Sequence, residues 1–171
     1  MKKILFIVAH EGFRPEEYYQ PKAVLESAGH VVVTASDGTG DANPAYDGTP
    51  AKIDVSVDEA RAGDYDGVFV IGGPGAMEHL DNEKVYRLMR EASEKGLLFG
   101  SICIATRILA KAGVVRGKKA TGWDGDNELG GIITAAGGEY MREEVVVDGN
   151  LITATGPEAA EEWGKAIVRL C

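Results

Sequence analysis

Apolar, β-branched runs alternate along the chain with segments whose apolar residues recur at helical spacing. The runs predict strands, and the intervening periodic segments predict helices. The predicted strands are 4–9, 31–35, 67–71 and 97–102, and the predicted helices are 17–28, 81–95 and 104–112. Since the strand runs are almost continuously hydrophobic, we expect helices on both faces of a mainly parallel sheet. The pattern predicts an α/β fold, a doubly wound three-layer sandwich of the flavodoxin-like kind.

Turn-forming residues mark the rest of the chain. The segment 36–57 is dense in Gly, Asp, Asn and Pro, and a short strand over 52–55 predicts a small hairpin excursion there. A further short strand is predicted over 118–120. Two strand runs in 144–154 flank Asp148-Gly149, a strong signal for a β-hairpin. The predicted last helix begins near Pro157 and has one apolar stripe formed by Ala160, Trp163, Ile167 and Leu170.

Composition narrows the class of protein. The 171 residues predict one domain, 1–171, and the net charge of −9 argues against a nucleic-acid surface. No apolar run approaches the roughly 20 residues that span a bilayer, and the first strand lacks the cleavage site of a signal peptide. The two cysteines do not resemble a disulfide framework, and the three histidines lack zinc-site spacing. We expect a cytoplasmic protein with no metal, no cofactor, no nucleic-acid partner and no membrane partner.

Cys103 lies at the turn between the predicted strand 97–102 and the predicted helix 104–112. Such a strand-to-helix turn, or nucleophile elbow, exposes a side chain at a helix N-terminus. The partial positive charge there favours the thiolate, so we expect the pKa of Cys103 to lie below the free value of about 8.5. Spacing alone leaves the alternative of a buried, inert cysteine open.

Polar residues follow the other strands at the same sheet edge, where open α/β sheets bind ligands. Glu16 and Glu17 follow the first strand, and only one of them can face inward. A glutamate beside the sulfur can exchange a proton with it or with a bound carbonyl, although both residues also suit a helix N-terminus electrostatically. His10 and His79 are alternative bases, or ordinary surface histidines.

The glycine-rich segment 72–75 lacks the spacing and the lysine of a phosphate-binding loop. It is better suited to presenting a backbone N–H to a developing oxyanion, and Ile104, directly after the cysteine, offers a second N–H. Glycines required only by tight turns are the alternative explanation.

As an ordered set, these residues resemble the PfpI/ThiJ superfamily, a branch of the class I glutamine-amidotransferase-like folds that includes PfpI-type peptidases, deglycases and glyoxalases. The resemblance covers almost the whole chain. It rests on Glu17-Tyr-Tyr-Gln-Pro21, Leu25-Glu-Ser-Ala-Gly-His30, Tyr65-Asp-Gly-Val-Phe-Val-Ile-Gly-Gly73, Gly100-Ser-Ile-Cys103, Leu109-Ala-Lys-Ala-Gly-Val-Val-Arg-Gly-Lys-Lys-Ala-Thr121 and Val145-Val-Val-Asp-Gly-Asn-Leu-Ile-Thr153.

The resemblance implies roles for individual residues. Cys103 corresponds to the nucleophile and Glu17 to its buried acidic partner, which leaves Glu16 facing solvent. The backbone N–H groups of Gly73 and Ile104 correspond to the oxyanion site. We further expect a substrate pocket that includes Gly72, Trp123, His10 and Glu78.

The chain departs from the peptidases of the superfamily directly after the cysteine. Ile104 stands where those members have a histidine, and Ala105 replaces a glycine. Because isoleucine is no general base, peptide hydrolysis is disfavoured. Members with a nonpolar residue here resemble deglycases, glyoxalases or thiol-oxidation sensors.

The favoured interpretation is therefore an enzyme in which Cys103 attacks a reactive carbonyl compound or its adduct and Glu17 shuttles the proton. A PfpI-like hydrolase or hydratase with another substrate, a redox sensor or chaperone without turnover, and an inactive binding protein remain alternatives. The resemblance also implies a homodimer or higher homo-oligomer. We expect Tyr18, Tyr19 and Met77 to be exposed, which makes them candidate interface residues.

Overall fold

The computed structural model describes residues 1–171. Its strands are β1 (Lys3–Val8), β2 (Glu11–Phe13), β3 (Val31–Ser36), β4 (Asp41–Pro44), β5 (Ala51–Lys52), β6 (Val55–Ser56), β7 (Gly67–Val70), β8 (Leu98–Ile102), β9 (Lys119–Ala120), β10 (Glu139–Tyr140), β11 (Val145–Asp148) and β12 (Leu151–Ala154). Its α-helices are α1 (Pro15–Ser27), α2 (Ala76–His79), α3 (Glu83–Glu94), α4 (Thr106–Ala112), α5 (Leu129–Ala135) and α6 (Ala160–Leu170). Short 3₁₀ turns occupy Ala62–Asp64, Cys103–Ala105 and Pro157–Ala159.

Seven strands form the central sheet in the order β11-β12-β8-β7-β1-β3-β6. Every neighbouring pair is parallel except β11 with β12, which form the predicted antiparallel hairpin. The α/β fold with a mainly parallel sheet is thereby confirmed. The sheet order also places the carboxyl ends of β8, β7 and β1 side by side at its centre, so the segments that follow these strands meet at one edge.

Two apolar layers cover the two faces of the sheet. Residues of β1 alternate between them: Leu5 and Ile7 face the layer that includes α3, α4 and α5, whereas Ile4 and Phe6 face the layer that includes α1 and α6. All four are fully buried, as the continuous apolar run predicted. Doubly covered strands of this kind leave little polar surface along the middle of the sheet.

Trp163 of α6 anchors the second layer. Its indole ring stacks on Phe6 with centroids 6.0 Å apart, meets Phe69 edge-on, and donates from Nε1 to the carbonyl of Ile152 at 3.1 Å. Trp163 thus satisfies its one polar group while its ring is wholly buried. The contact fixes α6 against β12 and β1.

The structure corrects three details of the sequence analysis. The segment 52–55 is not one strand, because β5 pairs with β4 in a small surface sheet and β6 joins the edge of the central sheet. Leu170 is 44% exposed, so the buried stripe of α6 ends at Ile167. Tyr18 is not a surface residue: it is 2% exposed and its hydroxyl forms a hydrogen bond with Thr34 Oγ1 at 2.7 Å.

None of the helices combines the length and apolar character that a membrane crossing requires.

Candidate active site

Cys103 lies at the end of β8, in the middle of the sheet, at the turn that leads into α4. Its backbone adopts φ +64°, a left-handed conformation that is uncommon for a residue other than glycine. A short 3₁₀ turn over Cys103–Ala105 connects the strand to the helix. The side chain remains partly accessible, although its neighbours Ile102 and Ala105 are fully buried. The strained turn therefore presents one sulfur atom at the carboxyl edge of the sheet.

Glu17 belongs to the first turn of α1 and points inward, whereas Glu16 is partly exposed and pairs with Arg14. Glu17 is 0% exposed, and neither carboxyl oxygen has a hydrogen-bond partner of normal geometry. A buried carboxyl group without such partners carries an energetic cost that folding alone does not explain.

Gly72 leaves the space in which Glu17 meets Cys103. A Cβ at position 72 would lie 2.5 Å from Glu17 Oε2 and 2.7 Å from Cys103 Cβ. Distances below 3.0 Å are essentially never seen for real Cβ atoms. Glycine at position 72 is therefore required for the carboxyl group and the cysteine to occupy their positions.

Burial raises the pKa of Glu17 from 4.5 to about 7, and the Cys103 thiol, the charge of Arg14 and the N–H of Gly72 oppose the rise. Burial also raises the pKa of Cys103, and the negative charge of Glu17 raises it further, against the backbone N–H groups of Ile104 and Gly73. The expectation of a lowered pKa for Cys103 is thus wrong, because desolvation outweighs the helix N-terminus. The pair loses its first proton near neutral pH, and the two groups then share one negative charge.

Gly73 is fixed beside the sulfur by its close approach to the loop that precedes α1. It has φ +122°, and a Cβ there would lie 2.5 Å from both Arg14 N and Gly12 O. The Arg14 N–H donates to the carbonyl of Gly72 at 3.0 Å, which ties the two loops together. The N–H groups of Gly73 and Ile104 thus act on the same sulfur from two different segments.

These groups open into a cleft of about 450 Å³, a size suited to a small molecule. Its lining residues are Arg14, Glu17, Tyr46, Gly73, Pro74, Cys103, Ile104, Trp123, Pro157 and Glu158. No histidine lines the cleft, and no group of three or more His, Cys, Asp or Glu side chains is arranged to hold a metal ion.

Trp123 forms one side of the cleft mouth and is 40% exposed. Its backbone N–H donates to the carbonyl of Cys103 at 3.1 Å, so the loop is attached directly to the elbow. The guanidinium of Arg107 lies 5.6 Å from the centre of the indole ring and binds both carboxylate oxygens of Asp126 at 2.7 Å. These contacts hold the ring in place although one face of it meets solvent.

The structure brings most of the predicted site residues together. Cys103, Glu17, Gly73, Ile104 and Trp123 line one cleft, and Gly72 lies directly behind it, between the carboxyl group and the cysteine.

Two predicted pocket residues, His10 and Glu78, do not line the cleft. The ring of His10 packs over Gly38 and lies 3.7 Å from the carboxylate of Glu11, towards the β3 side of the sheet. Glu78 is exposed on the short helix α2. His79, the other candidate base, pairs with Asp37 at 2.8 Å and is also absent from the lining.

The sequence analysis missed Arg14, Tyr46, Pro157 and Glu158 as cleft residues. Arg14 could have been predicted from the sequence, because it precedes Glu17 by three residues at the start of a helix, and residues at this spacing lie on the same side. Tyr46 and Glu158 carried none, since each reaches the cleft through loops whose course the hydrophobic pattern does not encode.

A doubly wound sheet with a cysteine elbow and a buried glutamate beside the sulfur defines a class, and the chain belongs to the DJ-1/PfpI family, whose model matches residues 2–170. It is 32% identical over 168 residues to a Pyrococcus horikoshii protein named deglycase PH1704, covering 98% of each chain. An uncharacterized protein of Methanocaldococcus jannaschii is 33% identical, over 98% of this chain and 81% of its own.

Solved structures agree with this assignment. A ThiJ/PfpI domain protein from Brachyspira murdochii superimposes with a TM-score of 0.91 at 27% identity, over 98% of this chain and 95% of that one. Drosophila melanogaster DJ-1beta superimposes with a TM-score of 0.86 at 31% identity, over 99% of this chain and 89% of that one. The flavodoxin-like fold inferred from the sequence is therefore that of the family.

Proposed function

We propose that the protein is a cysteine-dependent enzyme of the deglycase and glyoxalase kind, which acts on small reactive carbonyl compounds or their adducts. The observation that carries the proposal is the fully buried Glu17 carboxyl, placed beside Cys103 and without a hydrogen-bond partner of normal geometry. The relatives named deglycases support the same reaction class. The absence of a histidine from the cleft lining argues against a peptidase mechanism.

The directions of the two pKa shifts support the following proton transfers. The pKa of Glu17 lies near 7 and that of Cys103 is raised beyond its usual range, so above neutral pH the pair consists of a carboxylate and a thiol. Glu17 then accepts the thiol proton as the sulfur attacks the aldehyde carbon of an α-oxoaldehyde. The new carbon–sulfur bond gives a hemithioacetal, whose oxyanion is stabilised by the N–H groups of Gly73 and Ile104 and takes up the proton from Glu17.

Glu17 completes the conversion as a proton shuttle. It removes the proton from the former aldehyde carbon, and the electron pair moves into an enediolate with the adjacent ketone. Returning that proton to the neighbouring carbon, while the hydroxyl proton of the former aldehyde group passes to the former ketone oxygen, gives a thioester of a 2-hydroxy acid. Water hydrolyses the thioester, which releases the hydroxy acid and the Cys103 thiol. No oxidant or cofactor enters this balance, because the aldehyde is oxidised and the ketone is reduced within one molecule.

The test is the conversion of methylglyoxal to lactate, followed by NMR in the wild type and in Cys103→Ser and Glu17→Gln. We expect lactate from the wild type and none above background from either variant. Cys171→Ser is the matched control, because Cys171 lies outside the cleft lining and its replacement should leave the rate unchanged.

Exposure to peroxide distinguishes the redox alternative. Mass spectrometry detects the oxidation state of Cys103 after the exposure. If Cys103 forms a stable sulfinic acid while no carbonyl compound is consumed, the protein is a thiol sensor and the proposed turnover is refuted.

A further inference from the structure

Arg14 is the only cationic side chain among the residues that line the cleft. Its Nε–H donates to Glu16 Oε2 at 3.0 Å, and Cζ of the guanidinium lies over the ring of Tyr46, 4.8 Å from the ring centre. Neither terminal nitrogen makes a hydrogen bond within the protein. The side chain is thus held in one place from two directions while four N–H donors remain free.

Arg14 lines the same cleft as Glu17 and Cys103, and its side chain is 31% exposed. Its charge also lowers the pKa of Glu17. The free N–H donors are therefore open to a ligand that enters the cleft. A ligand that binds both Arg14 and Cys103 needs two separate binding groups.

Two acidic residues lie near Arg14 besides Glu17. Glu16 occupies only the Nε side of the guanidinium. Glu158 also lines the cleft, but it is exposed, so water screens its charge. Above neutral pH the Cys103–Glu17 pair adds one negative charge inside the cleft. An anionic substrate consequently enters only where a fixed cation offsets this charge, and Arg14 is that cation.

The cleft volume of about 450 Å³ is far greater than a three-carbon oxoaldehyde fills. A planar guanidinium with a free pair of N–H groups matches the two oxygens of a carboxylate. The contacts with Tyr46 and Glu16 restrain the Arg14 side chain, which reduces the conformational entropy lost when a carboxylate binds.

We propose that Arg14 is a specificity residue that selects α-oxoaldehydes whose chain ends in a carboxylate, the carboxylate lying on Arg14 while Cys103 attacks the aldehyde. This inference rests on the proposed function and adds the substrate class to it. The covalent steps at the sulfur are the same as for a neutral α-oxoaldehyde.

The test compares two substrates of equal chain length. Dioxovalerate is a five-carbon α-oxoaldehyde that ends in a carboxylate, and propylglyoxal has a methyl group at that end. We expect the wild type to favour dioxovalerate in kcat/KM. In Arg14→Gln the ratio of the two kcat/KM values should fall about ten- to a hundredfold, mainly through the KM for dioxovalerate, because a charge-assisted hydrogen bond is lost. Arg14→Lys should retain part of the preference.

The ratio removes the effect of Arg14 on the reacting pair. Loss of the Arg14 charge raises the pKa of Glu17 and alters the rate with both substrates alike, so this effect cancels. Glu16→Gln is the matched variant: it removes the charge beside Arg14 but keeps the guanidinium, and the ratio should not fall. Thermal melting shows whether each variant is folded.

The two proposals fail in different ways. If the wild type uses both substrates equally, or if Arg14→Gln lowers both kcat/KM values by the same factor, the role of Arg14 is refuted and the cysteine chemistry stands. If neither substrate is consumed, the proposed function fails, and the inference fails with it.

Discussion

Replacing Glu17 by glutamine should make the protein more stable at alkaline pH. The carboxyl group is fully buried, and its pKa of about 7 lies above the ordinary value of 4.5 that the unfolded chain displays. Between these two values the folded state holds a proton that the unfolded state has released. Stability therefore falls with rising pH over this interval, by about 1.36 kcal/mol per pH unit, and levels off above pH 7.

The magnitude follows from the two pKa values. A shift from 4.5 to about 7 is roughly 2.5 units, which corresponds to about 3 kcal/mol of lost stability at pH 8 relative to pH 4. Typical domains are stable by only about 5–15 kcal/mol, so the effect is a large fraction of the total. Glutamine has nearly the same shape and never ionises, and its variant should lack this pH-dependent loss.

Urea unfolding at a series of pH values between 4 and 8.5 measures the effect. The quantity to compare is the difference in unfolding free energy between Glu17→Gln and the wild type, because titration of the three histidines cancels in it. The difference should shift by about 3 kcal/mol in favour of the variant between the acid and alkaline ends. Glu16 is the neighbouring residue and is partly exposed, so the same difference for Glu16→Gln should shift by less than about 1 kcal/mol. A flat difference for Glu17→Gln would refute the assignment of a raised pKa.

Three further outcomes test the site and the core. Gly72→Ala should abolish turnover, since its Cβ would lie 2.5 Å from Glu17 Oε2, whereas Gly131→Ala, with nothing within 4 Å, should leave turnover intact; retained activity in the first variant contradicts the proposed geometry. Alkylation of Cys103 by iodoacetamide, with the second cysteine replaced by serine, should rise around pH 7, because the Glu17 carboxylate formed there accepts the thiol proton as the sulfur reacts; Glu17→Gln lacks this base, so the rise should move to the higher pH at which the buried thiol ionises by itself, and an unchanged profile means that the two groups do not share a proton. Trp163→Ala should cost about 3–5 kcal/mol in urea unfolding, and a loss below about 1 kcal/mol would show that the ring is not part of the core.

The sheet and the elbow could be predicted because their signals are local. The apolar run after Lys3 is long enough to be buried on both faces, and the Asp148-Gly149 turn sets the antiparallel pairing of β11 with β12. The change from a strand pattern to a helix pattern marks the turn at Cys103. Each of these features depends on neighbours within about ten residues, and each is found in the structure.

Features that depend on distant neighbours were missed or misjudged. Helical periodicity places Leu170 on the buried stripe, but it cannot show that burial along this helix ends at Ile167. Tyr46 reaches the cleft from a surface excursion and lies over Arg14 only because the two loops meet in space. The pKa of Cys103 was misjudged for the same reason: the helix N-terminus is a local feature, whereas burial is set by the whole fold.

The geometry of the site lowers the stability of the folded chain, and this loss of stability bears on the role of the site. Cys103 holds a left-handed backbone conformation that costs about 1–2 kcal/mol in a residue with a Cβ. Glu17 is buried with no hydrogen-bond partner of normal geometry, and its ionisation lowers stability further. Glycine at 103 would relieve the backbone penalty, and glutamine at 17 would remove the cost of ionisation. Both penalties fall on two side chains in the same cleft, and a purely structural role for either residue does not explain this combination; the proposed function does, because it requires a sulfur and a proton acceptor held side by side.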